Sequence, residues 1–175
     1  MVALGDIADW GSGGTPKRSV ASYFGEGTPW LSIADLNDGI VTSARESLTA
    51  AGLANSSAKL VPPGTILVAM YGSIGKLGIT GTEMATSQAI AFARPYENLV
   101  DRQFLFQYLL AERRRLQSLG RGGTQMNIGQ ADLKAWPMPL PPLPEQHRIA
   151  AILDHADALR AKRRQVLAHL DALTQ

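Results

Sequence analysis

Short apolar runs separated by turn-forming residues dominate the first hundred positions of the chain. Turn signals such as GSGGTP, NDG, PPG and GSIG bound these runs, which is the pattern of strands joined by turns. The runs of strand length are residues 2–8, 28–33, 65–70, 77–81 and 88–94. Residues 47–57, SLTAAGLANSS, are predicted to hold a short helix. This part of the chain is therefore predicted to consist mainly of strands and turns.

Helical spacing replaces this pattern in the second half of the chain. Residues 101–119 are predicted to form a helix that is capped by Asp101 and packs an apolar face on the sheet. Asn127 is predicted to cap a short helix that continues to about Lys134. The prolines of AWPMPL (135–140) lack amide donors, so this segment should lie at a sheet edge or outside the sheet.

A long amphipathic helix is predicted for the end of the chain. Pro144 suits its first position, and Glu145 is favourable in its first turn. Apolar residues then recur at coiled-coil spacing with one polar exception, Arg163. This set, which we call the seam, is Ile149, Ile152, Ala156, Leu159, Arg163, Val166, Leu170 and Leu173. Because such a stripe must be buried, we favour pairing with a helix of another chain over packing on the same domain.

Together these elements predict an α+β (mixed α/β) fold in two parts. Residues 1–142 are expected to form a globular domain around a twisted β-sheet, and residues 143–175 a coiled-coil helix. With 175 residues and 45% hydrophobic content, the chain is long enough for one sizeable core.

The composition indicates the cellular compartment of the protein. The chain has no cysteine, which excludes disulfides and thiolate metal sites and favours the cytoplasm. It has no apolar window of membrane-spanning length, and its first ten residues lack the features of a secretory signal. We therefore expect a cytoplasmic protein.

Positive charge is concentrated in two stretches, although the net charge of the chain is only +2. Residues 112–134 carry a net +3, and residues 160–164, RAKRR, carry four positive charges. A local basic excess suits a polyanion such as nucleic acid, but solvated helix faces produce the same pattern.

Catalytic and metal-binding patterns are incomplete in this sequence. GSIGK at 72–76 lacks the first glycine and the hydroxyl residue of a phosphate-binding loop. Ser73 and Lys76 match S-x-x-K, but neither S-D-N nor K-T-G occurs. The three histidines lie on or beside the last helix without metal-ligand spacing. The sequence predicts a binding module without catalytic residues, metal or cofactor of its own.

The order of several motifs resembles a known family. The blocks are LGDIADWGSGGTPKRSVASYF, TPWLSIADLNDGIV, PPGTILVAMYGSIGKLGI, SQAIAFARP and GGTQMNIGQADLKAWPMPLPPLPEQHRIAAILD. In this order they resemble one target-recognition domain and one conserved helix of the DNA specificity (S) subunit of type I restriction–modification enzymes. The resemblance covers nearly the whole chain.

The resemblance implies a mixed α/β domain that recognises one half of a bipartite site in double-stranded DNA. It also implies that the helix pairs antiparallel with a second helix and sets the spacing between two domains. Methylation subunits would dock around these helices and use S-adenosylmethionine, and a motor-nuclease subunit would join them for cleavage.

One departure from the family pattern is large. A full S subunit has two recognition domains and two conserved helices, whereas one of each is present here. The chain is therefore expected to be a natural half-subunit or a fragment, and its end in mid-pattern favours a fragment or a truncated gene. Our hypothesis is that two copies pair through the seam and recognise an inverted repeat.

Candidate DNA contacts come from basic, hydroxyl and amide side chains in three glycine-containing loops, with Arg45 of the TSARES stretch as a further candidate. They are Thr15, Lys17, Arg18, Arg45, Tyr71, Ser73, Lys76, Arg121, Thr124, Gln125 and Asn127. Because the GSIG and G-x-Q-x-N motifs recur in family members that recognise different sequences, a scaffold or phosphate-binding role is the alternative to base recognition.

Two other functions are compatible with this sequence. The domain could be a protein–protein adaptor whose helix only oligomerises it, or a decoy that inactivates a full S subunit by pairing with it. Salt-dependent binding to duplex DNA would distinguish a DNA-binding domain from the adaptor.

Overall fold

The computed structural model describes residues 1–121 and 126–173, and these form eleven strands and five α-helices. The strands are β1 (Val2–Ala3), β2 (Ala8–Ser12), β3 (Phe24–Leu31), β4 (Ile40–Val41), β5 (Glu46–Leu48), β6 (Lys59–Val61), β7 (Ile66–Ala69), β8 (Leu77–Thr80), β9 (Met84–Thr86), β10 (Ile90–Pro95) and β11 (Pro137–Met138). The helices are α1 (Leu4–Ile7), α2 (Ala50–Ala54), α3 (Arg102–Ser118), α4 (Gln130–Lys134) and α5 (Leu143–Leu173), and 3-10 turns lie at Ala21–Tyr23 and Ile33–Asp35. The predicted α+β class is confirmed.

Two sheets form the body of the domain. The larger has the strand order β2-β10-β7-β8-β4, and the smaller has the order β5-β3-β9-β6. In the central strand β7, Ile66 and Val68 join the core that contains α3, whereas Leu67 and Ala69 join the core shared with the smaller sheet. Successive side chains of a strand point to opposite faces, so β7 is buried on both sides. This explains why residues 66–70 are continuously apolar rather than alternating.

Helix α3 packs on the larger sheet, as predicted. The Asp101 side chain accepts a hydrogen bond from the Phe104 amide at 2.8 Å and caps the helix. Leu105, Leu109 and Leu116 are fully buried. Each large apolar side chain removed from water contributes about 1.5–3 kcal/mol, so this face fixes the helix to the sheet.

The single strand predicted for residues 2–8 is wrong. Helix α1 interrupts it, because the turn brings both Leu4 and Ile7 into the core, where a strand would direct them to opposite sides. The predicted run reaches only the first residue of β2, and four further strands, β4, β5, β6 and β9, were not indicated by the sequence pattern. Each has only two or three residues, which is too short for a recognisable alternation.

The predicted helix cap at Asn127 is also wrong. Helix α4 begins at Gln130, and the Gly129 amide in front of it donates to the Asp132 carboxylate at 3.1 Å. The backbone of Asn127 is instead paired with Arg121. The segment after α4 does lie at a sheet edge, as expected, because β1 is the only described strand that pairs with β11.

Helix α5 begins at Leu143, one residue before the predicted first position. Its start is fixed by Gln146, whose side chain is completely buried. The carboxamide of Gln146 binds the Asp101 amide at 2.8 Å, the Leu99 carbonyl at 3.1 Å and the Pro141 carbonyl at 2.8 Å. Through these bonds the Gln146 side chain, in the first turn of α5, is connected to Pro141 just before α5 and to Leu99 and Asp101 just before α3.

Only the first turns of α5 pack on the domain. Ala150 is buried in the core and Ile149 packs against it. Asp154 accepts hydrogen bonds from Gln103 at 2.7 Å and Gln107 at 3.0 Å. From residue 157 to 172 every side chain except Ala161 is exposed. Within the described ranges, no helix is long and apolar enough to cross a membrane.

Candidate nucleic-acid interface

Several loops meet at one end of the two large sheets. Strands β2 and β7 end there and β10 begins there, because their terminal residues are paired in the larger sheet. Strands β3 and β9 pair in parallel and end at the same place. We call this surface the loop edge, and it comprises residues 13–18, 32–35, 70–76, 87–89 and 126–128.

Backbone hydrogen bonds join these loops. They link the Gly14 amide to the Thr86 carbonyl at 2.9 Å, the Met70 amide to the Ala89 carbonyl at 2.9 Å, the Gly72 amide to the Met126 carbonyl at 3.0 Å, and the Ile128 amide to the Met70 carbonyl at 2.9 Å. The described parts of the three loops predicted to contact DNA therefore lie together. Thr124 and Gln125, two of the predicted contacts, lie outside the described residues.

The glycines of these loops have structural roles. A side chain at Gly13 would place its Cβ atom 1.8 Å from the Thr86 carbonyl oxygen, so the chain can cross there only without one. Gly72 and Gly75 have φ angles of 61° and 75°, which favour glycine. These observations support the scaffold role that the sequence left open for the glycine motifs.

Arg18 is held by its own chain. Its guanidinium donates to the Glu46 carboxylate at 2.8 Å and lies 4.6 Å from the ring centre of Phe24 and 5.0 Å from that of Trp30. The hydrogen bond lowers the pKa of Glu46 and raises that of Arg18. About half of the Arg18 side chain stays exposed. Arg18 therefore connects loop 13–18 to the antiparallel strand pair β3–β5 and is also a candidate contact.

Arg45 and Lys76 flank the 3-10 turn Ile33–Asp35. The Lys76 ammonium donates to the Ile33 carbonyl at 3.3 Å. The Arg45 amide donates to the Asp35 carboxylate at 3.1 Å, while the Arg45 side chain is 73% exposed. The turn thus brings two predicted cations from distant parts of the sequence to the same surface.

Among the predicted cations, Lys17 and Arg121 have the fewest side-chain interactions with the described residues. Both are exposed, and neither forms an ion pair with any residue that the structure describes. The backbone of Arg121 exchanges two hydrogen bonds with Asn127, at 2.8 and 2.9 Å. This pairing places Arg121 beside the loop edge.

The polar candidates have mixed environments. Thr15 donates a hydrogen bond to Gln88, and Ser73 is exposed. Tyr71 is half-buried and packs against the core. Gln88, exposed at the tip of loop 87–89, was not singled out from the sequence because its partner Thr15 is 73 positions away.

The sequence indicated Arg113 only as part of the basic stretch 112–134. In the structure its side chain binds loop 70–76 of the loop edge from helix α3. Its guanidinium donates to the Gly75 carbonyl at 2.8 Å and pairs with Asp38. Gln117, one turn later, donates to the Ile74 carbonyl at 3.2 Å. Helix α3 therefore positions loop 70–76. Among the described residues, no group of acidic or histidine side chains has the arrangement of a metal site.

The seam of α5 is a second candidate surface. Ile152, Leu159, Val166 and Leu170 are each more than half exposed. Ala156 is partly buried, Arg163 is exposed, and the side chain of Leu173 is outside the described part. An apolar cleft of about 550 Å³ adjoins the start of the seam; its lining includes Phe104, Tyr108, Leu140, Ile149 and Leu153.

Residues 1–169 match the type I restriction modification DNA specificity domain. The chain belongs to this family. It is 27% identical over 163 residues to the EcoR124I/EcoR124II specificity subunit of Escherichia coli, covering 89% of this chain and 40% of that subunit. The specificity-domain chain thus spans about two fifths of that relative's length.

Solved structures give the same assignment. The HsdS subunit of Thermoanaerobacter tengcongensis superimposes with a TM-score of 0.77 at 27% identity, covering 94% of this chain and 38% of that one. A chain from a structure on complex assembly and conformational transition of the type I R-M system gives 0.78 at 28%, covering 98% and 41%. The predicted family and the specificity-subunit fold are confirmed.

Proposed function

We propose that this specificity domain recognises one half of a bipartite site in duplex DNA through its loop edge. The observation that carries the proposal is that Lys17 lies on the loop edge while Arg45 and Arg121 are hydrogen-bonded to its residues Asp35 and Asn127, so three exposed cations from distant segments adjoin this surface. Cations and backbone amides bind phosphate, whereas exposed polar side chains such as Gln88 supply donors and acceptors for groove contacts. The family assignment supports the same ligand.

The phosphate-binding role is tested by removing single charges. Lys17→Ala and Arg121→Ala should each weaken binding to all duplexes alike and reduce the slope of log affinity against log salt by about 0.9. Arg102→Ala, at the opposite end of the domain, is the matched control and should leave the slope unchanged. Fluorescence anisotropy at several salt concentrations measures the slopes. Wild-type slopes in both variants would exclude these two residues from the interface.

A protein–protein adaptor would give a different result. Wild-type protein would then show no salt-dependent binding to duplex DNA, and selection from a randomised duplex library would enrich no sequence. If the proposal holds, the selected duplexes share a short half-site. Mapping of methylated sites in cells that contain this chain and its methylation subunit would identify the complete target.

We further propose that the seam pairs antiparallel with a second helix, from another copy or from a second half of a longer chain. The exposed apolar stripe and the adjoining cleft support this pairing, because both leave apolar surface in water. An antiparallel offset that preserves the seam places Ile152 opposite Leu170, Ala156 opposite Val166 and Leu159 opposite Arg163.

The pairing of two copies is tested by cysteine cross-linking. Because the chain contains no cysteine, only the introduced cysteines can form a disulfide. The double variant Ile152→Cys/Leu170→Cys should form covalent dimers under oxidation, whereas Ile152→Cys alone should not. In an antiparallel pair two copies of residue 152 are separated by about 27 Å along the axis. Cross-linking of the single variant would indicate a parallel pair, and no cross-link in either would exclude the proposed homodimer.

The remaining parts of the reaction are assigned to other subunits. In this proposal the chain performs no chemistry, methylation with S-adenosylmethionine belongs to a methylation subunit docked around α5, and cleavage belongs to a motor-nuclease subunit. Assembly on DNA would take place in the cytoplasm. Co-purification of the methylation subunit with the wild-type chain, lost when Leu159 and Val166 are replaced by aspartate, is the expected result.

A further inference from the structure

The charges of α5 are segregated along its length. Asp154 and Asp157 lie where the helix packs on α3 and accept hydrogen bonds from Gln103 and Gln107. The next segment, residues 160–164, carries four positive charges and lies beyond the domain. We call it the basic segment.

Most of these charges have no acidic neighbour in the described part of the chain. Arg160 pairs with Asp157 at 2.8 Å. Lys162, Arg163 and Arg164 are exposed and form no ion pair with a described residue. The negative end of the helix dipole favours cations only within the last turn, and this segment lies in the middle of α5. Neither ion pairing nor the dipole therefore accounts for three adjacent cations.

Pairing of two copies would bring two basic segments together. In the antiparallel offset given above, the midpoint lies at Ala161, so each basic segment faces the other. Paired helix axes are about 8–10 Å apart. This is close to the Debye length of about 10 Å at 0.1 M salt, so the repulsion is only partly screened. The paired helices would carry a concentrated positive site at their centre.

We propose that the basic segment binds the phosphate backbone of duplex DNA between two half-sites, and that this binding offsets the repulsion between the paired helices. The inference rests on the proposed function, because a duplex held by two loop edges must pass along the helices that connect them. Phosphate is the anion that such a duplex presents at every step, whatever its sequence.

The first test measures dimerisation by sedimentation equilibrium. Raising NaCl from about 50 to about 500 mM should strengthen the wild-type dimer at least about tenfold, because salt screens the repulsion. At the lower salt, a duplex of about 40 base pairs and arbitrary sequence should strengthen it comparably. Lys162→Gln/Arg164→Gln should dimerise with little dependence on salt. Arg102→Gln/Lys134→Gln, which removes the same charge from the globular domain, should behave as wild type.

The second test measures DNA binding directly. On a duplex of about 40 base pairs, Lys162→Gln/Arg164→Gln should reduce the salt slope by about two to four, since each lost phosphate contact contributes about 0.9. A duplex of about 12 base pairs reaches only one loop edge, so its slope should not change. The Arg102→Gln/Lys134→Gln control should keep the wild-type slope on both duplexes.

The outcomes separate this inference from the function on which it rests. The inference is overturned if neither salt nor DNA changes the affinity of the wild-type dimer. It is also overturned if Lys162→Gln/Arg164→Gln keeps the wild-type salt slope on the duplex of about 40 base pairs. Wild-type protein that stays monomeric in every condition refutes the homodimer. In that case the slope on the long duplex alone decides whether the basic segment binds DNA.

Discussion

At the scale of single residues, the loop edge contains cations of two kinds. Arg18 is restrained by an ion pair and by two aromatic rings, whereas Lys17, one position earlier, is exposed and unpaired among the described residues. Neighbours in the sequence therefore have different roles. Arg18 holds the β3–β5 strand pair against loop 13–18, whereas Lys17 is exposed and, in the proposed interface, contacts DNA phosphate.

The Arg18–Glu46 pair makes a pH-dependent contribution to stability. Because the hydrogen bond from Arg18 lowers the pKa of Glu46 in the folded state, this contribution is complete above the unfolded pKa of about 4.3. It is lost as the pH falls through the folded pKa. Glu46→Gln should therefore lower the free energy of unfolding at pH 7 by less than about 1 kcal/mol, as is typical of an exposed pair, and by much less near pH 3.

Urea unfolding of wild type and Glu46→Gln at both pH values measures this difference. Glu26→Gln, which changes an exposed carboxylate on β3, is the control and should show a smaller change at pH 7. An equal destabilisation by Glu46→Gln at pH 3 and pH 7 would contradict the assigned cause.

At the scale of elements, the two long helices were predictable and several strands were not. Helices α3 and α5 repeat their apolar spacing over many turns, so single exceptions such as Arg163 do not hide it. The short strands depend on neighbours that are distant in sequence. Strand β9, for example, is buried between β3 and β6, and its three residues contain no signal of their own.

The junction of α3 and α5 depends on one buried carboxamide. Gln146→Leu would leave three backbone groups without partners, at a cost of about 2–3 kcal/mol in the free energy of unfolding. Gln165→Leu, on an exposed face of the same helix, should change it by less than about 0.5 kcal/mol. Urea unfolding compares the two variants, and similar midpoints would show that Gln146 does not stabilise the junction.

At the scale of the whole molecule, the pairing proposed above would make α5 a spacer whose length sets the distance between two domains. Its 31 residues correspond to about 46 Å, and roughly its second half is free of the domain. The α-helix rises by a constant distance per residue and the DNA duplex by a constant distance per base pair. The number of residues in the paired helices would therefore set the number of base pairs between the two half-sites.

Inserting seven residues between Ala161 and Lys162 should preserve the seam and lengthen the rod by about 10 Å, or about three base pairs. Selection from duplexes with a randomised spacer should show this increase in the distance between half-sites. An insertion of five residues rotates the seam by about 140° and should abolish pairing in sedimentation. An unchanged half-site distance after the seven-residue insertion would contradict the spacer role.

The sequence by itself determined the elements whose signal is local: the α3 and α5 helices, the apolar seam, the glycine turns and the order of family motifs. It also identified three of the five segments that meet at the loop edge, because basic and polar residues cluster within each of those three loops. Only the tertiary structure decided how these residues are used. Arg18, Arg113 and Gln146 each have a hydrogen-bond partner that lies 28 to 75 positions away, and such pairs leave no periodic pattern in the sequence. Side-chain contacts depend on the register of strands and the packing of helices, so they are specified only when the chain has folded.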